Sequence, residues 1–366
     1  MYNFDKIANR VDGHSKKYTA YKNQDIIPLW VADMDFDVAP EIYKALEKTL
    51  QHKVFGYSSH QDDDILWLPS LVASINIACR SLTKKDEAVL TITPTYPPFI
   101  DAPKNANRKV FMSSLVEVNN RWEINLSEIE ELISNKQNNI KLLLLCNPHN
   151  PTGRSWSKEE LLKLHSIAVK YDIYICSDEI HSGLILDNKT KHISFSSLNN
   201  DAKNRCVTLM SPTKTFNIAG LSVAYMFISN EDIKKKVNKT IKGLYRDINI
   251  FGLSACNSAL KDGGNWLSSL KEYLCDNQNL VVNTFSSLDG FRINKGEATY
   301  LAWIDAREFI AKHNIDNIKV FFENAGVGIS DGNEFFCNGF IRLNFATSKD
   351  VLNTALLRMV NAVREL

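Results

Sequence analysis

One lysine in this sequence has neighbours that suit a covalent bond to an aldehyde cofactor. Lys214 lies in the segment 211–217 (SPTKTFN), directly after a run at 205–210 that is typical of a buried strand. A lysine amine forms a Schiff base with a carbonyl group, and pyridoxal 5'-phosphate (PLP) is the commonest partner of this kind. The hydroxyl groups of Ser211 and Thr213 could bind the phosphate of such a cofactor. Most lysines are solvated surface residues, however, so this segment alone leaves both interpretations open.

Further polar and aromatic side chains follow other predicted strands in the same way. They are Tyr96 after residues 88–93, Asn150 after 140–146, and Asp178 with His181 after 174–177. Open parallel sheets bind their ligands beyond the carboxyl ends of the strands. A PLP site needs an aspartate that keeps the pyridine nitrogen protonated, a donor for the phenolic oxygen, and an aromatic ring that stacks on the cofactor. We therefore expect one PLP site at this edge of the sheet.

Each of these residues also has a purely structural interpretation. Asn150 begins the sequence NPTG, which could be only a turn, and Asp178 could cap a helix or end a strand. Tyr96 lies close to prolines and could be a packed aromatic ring, and a single His181 is more often structural than functional. The joint occurrence of these residues after consecutive strands favours the cofactor site.

Composition argues against several other classes of protein. The chain has 366 residues, which is enough for two domains with a substantial core, and its 44% hydrophobic and 23% charged residues are ordinary for a globular protein. The net charge of +1 creates no field that would attract nucleic acid or an anionic membrane. The most basic segment, 234–246, is interpreted as a solvated helix face. No G-x-G-x-x-G sequence follows a predicted strand, which disfavours a dinucleotide-binding dehydrogenase.

Cysteine usage and the N-terminal sequence predict the cellular location. The seven cysteines form no C-x-x-C pair and several lie in apolar runs, as in a reduced protein with buried thiols rather than a disulfide framework or a zinc site. The eight histidines show no spacing of metal ligands. The N-terminus does not resemble a signal peptide, and the longest aliphatic run, 140–146, is too short to span a bilayer. We expect a cytoplasmic protein with no metal and no membrane partner.

The spacing of hydrophobic residues predicts an α/β fold. Strand-like and helix-like segments alternate from about residue 40 to residue 230, which is typical of a mostly parallel central sheet flanked by helices. The predicted helices of this part are 39–50, 71–82 and 157–171, and the predicted strands are 88–93, 108–112, 140–146, 174–177, 206–210 and 223–228.

The last third of the sequence differs and predicts a smaller α+β domain. Long helical patterns cover 231–260 and 266–285, short strands follow at 300–304 and 340–344, and a helix ends the chain. We expect a large PLP-binding domain at 40–255 and a small domain that both termini form, from 1–39 and 256–366.

Four motifs together are similar to those of fold-type I PLP-dependent enzymes of the class I and II aminotransferase type. They are Asn150-Pro-Thr-Gly153, Ser177-Asp-Glu-Ile-His181, the segment 211–217 and Arg342-Leu-Asn-Phe345. The segments 29–36 (LWVADMDF), 54–57 (VFGY) and 299–303 (TYLAW) resemble the MalY/PatB-type cystathionine β-lyases, which are also called cysteine-S-conjugate β-lyases. The resemblance covers nearly the whole chain.

The resemblance implies a role for each residue at the centre of the predicted site. Lys214 would carry PLP and act as the general base, and Asp178 would pair with the pyridine nitrogen. Tyr96 would stack on the cofactor ring, and Asn150 and His181 would contact its phenolic oxygen.

The resemblance also implies how the cofactor phosphate is held. The backbone amides of Leu71 and Val72, at the N-terminus of a helix, would bind it together with the hydroxyl groups of Ser211 and Thr213. Tyr57 would reach the phosphate of the neighbouring subunit, so a homodimer is implied.

The implied activity is a carbon–sulfur β-lyase that releases a thiol, pyruvate and ammonia from cystathionine or another S-substituted cysteine. Arg342 would clamp the α-carboxylate of this amino acid substrate with its guanidinium fork. An aminotransferase uses the same motifs and is the alternative. A degenerate or regulatory PLP-fold protein is the second alternative, because only residues 58–64 separate Tyr57 from the strand at 65–68, where the family has a further helix.

Overall fold

The computed structural model describes residues 2–6, 8–11, 13–58, 65–245 and 247–366. Its strands are β1 Ile27–Pro28, β2 Ile65–Leu68, β3 Ala88–Thr93, β4 Val110–Ser114, β5 Val116–Val118, β6 Arg121–Glu123, β7 Ile140–Cys146, β8 Tyr174–Asp178, β9 Cys206–Met210, β10 Ala224–Phe227, β11 Arg292–Ile293, β12 Leu301–Asp305, β13 Val327–Gly328, β14 Ser330–Asp331 and β15 Phe340–Asn344. Its α-helices are α1 Lys16–Thr19, α2 Pro40–Gln51, α3 Leu71–Leu82, α4 Pro98–Asn105, α5 Leu126–Ser134, α6 Lys158–Lys170, α7 Asn200–Arg205, α8 Glu231–Ile241, α9 Ile250–Asp262, α10 Gly264–Ser286, α11 Arg307–His313, α12 Ile318–Asn324 and α13 Lys349–Arg364.

A seven-stranded sheet lies at the centre of the fold, in the order β2-β10-β9-β8-β7-β3-β4. The five strands from β9 to β4 are parallel, whereas β10 runs antiparallel to both of its neighbours. All six residues of β3 are buried, as expected for a parallel strand that helices cover on both faces. The predicted α/β fold with a mostly parallel central sheet is confirmed.

Two hydrophobic cores cover the two faces of this sheet. One core forms where α3, α4 and α8 pack on the sheet, with Ile75, Phe99 and Val237 among its buried residues. The other forms beneath α5 and α6 and includes Ile129 and Trp156. Helix α6 begins with a reciprocal capping box between Ser157 and Glu160, which satisfies two amide groups that no helical partner can bind.

A second sheet, in the order β11-β12-β15-β14, packs against helices of the C-terminal part. Its core includes Phe285, Phe322 and Met359, and it extends to residues of the N-terminal segment, such as Leu29 and Phe36. The domain limits of 40–255, and of 1–39 with 256–366, stay a prediction.

The prediction of one helical segment over 231–260 is wrong in one respect, because two separate helices occupy this region. Helix α8 ends at Ile241, and Gly243 then adopts a left-handed backbone with a φ of 83°, which favours glycine and ends the helix. Asn249 begins α9 by accepting a hydrogen bond from the Phe251 amide. Residue 246 of the basic segment and residues 59–64 of the short connection lie outside the described residues.

All seven cysteines are free thiols, and five of them are buried. Burial raises the pKa of each one, for example to about 12 for Cys79 and about 11 for Cys337. Within the described ranges no helix is long and apolar enough to cross a membrane, and no cluster of metal-ligating side chains forms there.

Candidate active site

Loops at the carboxyl edge of the central sheet line one cavity of about 370 Å³. The loops follow β3, β7, β8 and β9, which are neighbours in the sheet. From the predicted site these loops contribute Tyr96, Asn150, His181, Thr213 and Lys214. Asp178 comes from the end of β8, Leu71 and Val72 from α3, and Arg342 from β15. The sheet therefore brings together residues that lie far apart in the sequence.

Lys214 places its amine against the main chain of the N-terminal segment. Its Nζ donates a hydrogen bond of 2.6 Å to the carbonyl oxygen of Ala32. Burial lowers the pKa of Lys214 to about 8, although the nearby charge of Asp33 opposes this change. A larger fraction of this amine is therefore neutral near pH 7 than of an ordinary lysine, as a base or a nucleophile requires.

Asp178 ends β8 with a carboxyl group that is only 3% exposed. One of its oxygens accepts a hydrogen bond of 3.0 Å from the Ile180 amide. Burial raises the pKa of Asp178 to about 7, and the charge of Glu179 adds to this effect. Among the described residues no cation forms a salt bridge with Asp178, so a cationic group of a ligand would find an unpaired carboxylate here.

Arg342 presents a buried guanidinium group to the same cavity. Its Nη1 donates to Asn150 Oδ1 at 3.0 Å and its Nη2 to the Trp30 carbonyl at 2.9 Å. The guanidinium carbon lies 4.4 Å from the centre of the Phe335 ring. Burial lowers the pKa of Arg342 to about 10, so the group remains a cation at neutral pH.

The N-terminus of α3 forms the anion-binding side of the cavity. Ser70 caps the helix by accepting a hydrogen bond of 3.2 Å from the Ala73 amide. The first amide groups of a helix have no partner within it, so those of Leu71 and Val72 can bind a phosphate. The Thr213 side chain lies at the same cavity.

Of three other predicted site residues, two line the cavity and one does not. Tyr96 lines the cavity, and burial raises the pKa of its hydroxyl group. His181 lines it too, and burial lowers its pKa to about 3, so its imidazole is neutral. Tyr57 lies elsewhere, with 79% of its surface exposed, beside α2.

Comparison with protein families identifies this arrangement. A model of the family described as "Aminotransferase class I and II" matches residues 35–360. The chain belongs to this family.

Individual class I and II aminotransferase relatives are similar over their whole length. The cystathionine beta-lyase PatB of Bacillus subtilis (strain 168) is 31% identical over 394 aligned residues, which cover 99% of this chain and 100% of that protein. The PLP-bound C-S lyase of Staphylococcus hominis is 30% identical with a TM-score of 0.93, and the alignment covers 99% of this chain and 98% of that chain. A crystal structure of OvoB is 36% identical with a TM-score of 0.94 over 99% of both chains. The predicted family is confirmed.

The residues of this family member fit PLP on structural grounds. The cavity offers a lysine amine, an unpaired buried carboxyl group and a helix N-terminus, which match the aldehyde, the pyridine nitrogen and the phosphate. Two buried atoms at the cavity, His181 Nδ1 and Arg342 Nε, have no hydrogen-bond partner among the described residues. A bound ligand would supply partners for such atoms. The prediction of PLP as the cofactor is confirmed for the family.

Ser211 has a different neighbourhood from the one that its predicted role requires. Its hydroxyl group lies 2.7 Å from the Val223 carbonyl oxygen and 2.7 Å from Thr213 Oγ1, and Ser211 does not line the cavity. It holds Thr213, which does line the cavity. Its role as a direct phosphate ligand stays a prediction.

Sequence reasoning assigned no role to several residues that build this site. Phe335 lies beneath Arg342 and belongs to none of the motifs. The carbonyl oxygens of Trp30 and Ala32 bind Arg342 and Lys214. Trp30 and Ala32 lie in the segment LWVADMDF, whose resemblance to the β-lyases was the one available signal.

Proposed function

We propose that the chain is a PLP-dependent carbon–sulfur β-lyase that acts on cystathionine or other S-substituted cysteines and releases a thiol, pyruvate and ammonia. The observation that carries this proposal is the single cavity that Lys214, Asp178 and Arg342 line together. Relatives that are named cystathionine beta-lyase, at 30–31% identity over nearly the whole chain, support the sulfur-containing substrate.

Lys214 and Asp178 perform the proton chemistry in this proposal. Bound PLP supplies an electron-withdrawing ring that stabilises negative charge at the substrate Cα. The Lys214 amine, with a pKa of about 8, removes the Cα proton as general base. Asp178 and Tyr96 both line the cavity, where the Asp178 carboxylate would hold the proton on the pyridine nitrogen and Tyr96 would pack against the ring.

Arg342 binds the α-carboxylate of the substrate in this proposal. Its contacts with Asn150, the Trp30 carbonyl and Phe335 fix the guanidinium before the substrate arrives. This clamp recognises the amino acid end, which all S-substituted cysteines share. The sulfur substituent must therefore be selected elsewhere in the cavity.

The phosphate is held by the N-terminus of α3 in this proposal. The amides of Leu71 and Val72 and the hydroxyl group of Thr213 are the proposed ligands. Asn150 and the neutral His181 would contact the phenolic oxygen.

We also propose a cytoplasmic homodimer. Apolar side chains are exposed on α2 and the segment after it, where a second copy of the chain would cover them: Tyr43, Leu50, Val54, Phe55 and Tyr57. Tyr57 would then reach the partner's phosphate site. The seven free thiols support a reducing compartment.

One incubation tests the activity. We expect the purified protein, supplied with PLP and L-cystathionine but no 2-oxo acid, to form pyruvate and free thiol in equal amounts. Amino-group transfer that requires a 2-oxo acid, without thiol release, would instead support the aminotransferase. A protein that takes up no PLP would support the degenerate alternative.

A further inference from the structure

The segment 29–36, which we call the strap, crosses the candidate active site directly after β1. Two of its main-chain carbonyl oxygens bind the two cations of the site. The Ala32 oxygen accepts a hydrogen bond of 2.6 Å from Lys214 Nζ, and the Trp30 oxygen accepts one of 2.9 Å from Arg342 Nη2. The position of the strap therefore determines where both cations find their acceptors.

Two asparagine side chains donate hydrogen bonds to the main chain of the strap. Asn344 Nδ2 donates to the carbonyl oxygens of Val31 and Asp33, at 2.6 Å each. Asn217 Nδ2 donates to those of Met34 and Phe36, at 3.0 and 2.8 Å. These asparagines come from the C-terminal sheet and from the loop that carries Lys214, so the strap joins the two parts of the site.

Four charged side chains, which we call the charged cluster, join the strap to the segment before it: Asp33 and Asp35 of the strap, and Arg10 and Lys17. Lys17 Nζ lies 2.9 Å from Asp35 Oδ2, and these side chains are 0% and 1% exposed. Arg10 lies 2.8 Å from Asp35 and 2.6 Å from Asp33. The cluster contains two cations and two anions and is electrically balanced.

The charged cluster is better suited to fixing geometry than to adding stability. Moving two charges out of water costs about as much as their attraction returns, so a buried ion pair gives little net stability. Any displacement of the strap, however, would leave the buried Asp35 or Lys17 without its partner, which is strongly unfavourable. The cluster therefore confines the strap to one arrangement.

We propose that Lys17 and Asp35 are positioning residues for the reaction. Through the strap they hold the Ala32 carbonyl against the Lys214 amine, so that the amine keeps one place in the cavity whenever it is not covalently bound. Lys17 and Asp35 themselves touch neither the cavity nor a ligand. This inference rests on the role that we proposed for Lys214 as the base.

The protonation of Lys214 reports the position of the strap. The charged or titratable groups that interact with it are Asp33, Asp178, His181 and Arg342, and the Tyr300 hydroxyl group donates to the same Ala32 carbonyl oxygen at 3.2 Å. Of these, Asp33 belongs to the strap and stabilises the ammonium form, as the Ala32 carbonyl does. If the strap moves away, both contributions weaken and the burial of the amine by Trp30, Val31 and Ala32 changes as well, so the pKa of Lys214 departs from its parent value.

The test compares three variants with the parent as full-length protein from which PLP has been removed. Competitive labelling with trace acetic anhydride, followed by peptide mass mapping, gives the titration midpoint of the Lys214 amine. We expect the midpoint to differ from that of the parent by about half a pH unit or more in Lys17→Met. This variant leaves Asp35 partly unpaired, so Lys17→Met/Asp35→Asn, which restores the charge balance, is the second variant.

Asp305→Asn is the matched control. Asp305 is also a buried carboxylate between cations, Arg292 and Arg307, but it ends β12 and does not contact the strap. We expect it to keep the parent midpoint. In the PLP-loaded enzyme we expect kcat to fall about tenfold in both Lys17 variants and to stay unchanged in the control.

Two results would overturn the positioning role. One is a folded double variant with the parent midpoint for Lys214, and the other is an equal shift in the Asp305→Asn control. Because labelling needs neither substrate nor PLP, the result is independent of the proposed lyase activity. A parent that lacks lyase activity but shows the shift would refute the proposed function and leave the control of Lys214 by the strap intact.

Discussion

Burial shifts the pKa of each of the three charged residues at the centre of the cavity towards the neutral form. The pKa falls to about 8 for Lys214 and about 10 for Arg342, and it rises to about 7 for Asp178. Desolvation is the largest cause in every case. A substrate carboxylate at Arg342 and a cofactor ring cation at Asp178 would offset this cost.

We expect Lys214→Ala to lose both the covalent attachment point and the base. The kcat should fall by at least about 10³-fold, since base catalysis alone contributes about 10²–10⁴-fold. Borohydride reduction of the parent, followed by peptide mapping, should find the pyridoxyl group on Lys214. A label on another lysine, with Lys214 unmodified, would contradict the assignment.

We expect Asp178→Asn to stabilise the PLP-free protein at high pH. The folded-state pKa of Asp178 is raised from 3.8 to about 7, so the parent has its full stability below pH 4 and loses part of it as pH rises through 7. Asparagine cannot ionise and avoids this loss, which is roughly 4 kcal/mol above pH 7. Urea unfolding of the parent and of Asp178→Asn at pH 4 and pH 8 measures this difference in the free energy of unfolding.

The same substitution should lower turnover of the PLP-loaded enzyme, because a neutral side chain no longer holds the proton on the pyridine nitrogen. Equal stability of parent and variant at pH 8 would show that Asp178 is not buried as a costly charge. Unchanged elimination kinetics would remove it from its catalytic role.

We expect Arg342→Ala to raise KM for amino acid substrates about 10²-fold, because the α-carboxylate loses a charge-assisted, two-bond contact. Arg307→Ala is the control, since Arg307 pairs with Asp305 and does not line the cavity. Steady-state kinetics with L-cystathionine compare the two. An unchanged KM in Arg342→Ala would mean that another cation binds the carboxylate.

At the scale of elements, the N-terminus of α3 is both a helix cap and the proposed phosphate site. Ser70 fixes the first turn of this helix and lines the cavity. Ser157 likewise caps the first turn of α6, but it does not line the cavity. The two caps therefore allow the stability of a helix to be separated from its anion binding.

We expect Ser70→Ala and Ser157→Ala to lower the free energy of unfolding by a similar amount, about 1 kcal/mol each. Only Ser70→Ala should also raise the dissociation constant for PLP, roughly two- to fivefold, because the amides at the anion site lose their alignment. Chemical unfolding and PLP titration by absorbance give both quantities. Equal PLP affinity in the two variants would exclude α3 from phosphate binding.

Elements with strong patterns could be predicted from the sequence, and short ones could not. The strand over 140–146 and the helix over 71–82 have the predicted limits, because long apolar or amphipathic patterns leave little choice. The helix α4 (98–105), which contains two prolines, and the hairpin of β5 and β6 were not predicted. Proline and short exposed strands carry no clear periodic signal.

Some residues of the candidate site could likewise be predicted from the sequence, and others could not. Lys214, Asp178 and Asn150 could be found because each follows a strand, and parallel strands bring their ends to one edge. The acceptor of the Lys214 amine could not be found, because it is the main-chain oxygen of Ala32. Every residue has such an oxygen, so the amino-acid type contains no information about it.

At the scale of the whole molecule, the short connection after Tyr57 affects the expected PLP binding and the expected dimer. The central sheet, the cavity residues and the C-terminal sheet are all present, and residues 59–64 of the connection lie outside the described residues. The connection separates the proposed interface from the phosphate site. We therefore expect the loss of favourable free energy to fall on PLP binding and on dimer formation rather than on the packing of the core.

We expect a homodimer that binds PLP but releases it more readily than a family member with the further helix does, because the short connection leads to the proposed phosphate site at α3. Sedimentation gives the mass, and absorbance titration gives the affinity for PLP. Tyr57→Phe should weaken PLP binding without changing the dimer, if the tyrosine reaches the partner's phosphate. A monomer that takes up no PLP at high excess would refute this arrangement and favour the degenerate alternative.

The protonated state of the cysteines has a consequence for an enzyme that would release thiols. Thiol–disulfide exchange proceeds through the thiolate, and a thiol with a high pKa forms little of it at neutral pH. Even Cys146, which lines the cavity, has its pKa raised by burial and by the charge of Asp178. Once the released thiol has been oxidised to its disulfide, the protein should therefore exchange with that disulfide only slowly, and its turnover should be insensitive to the accumulated disulfide.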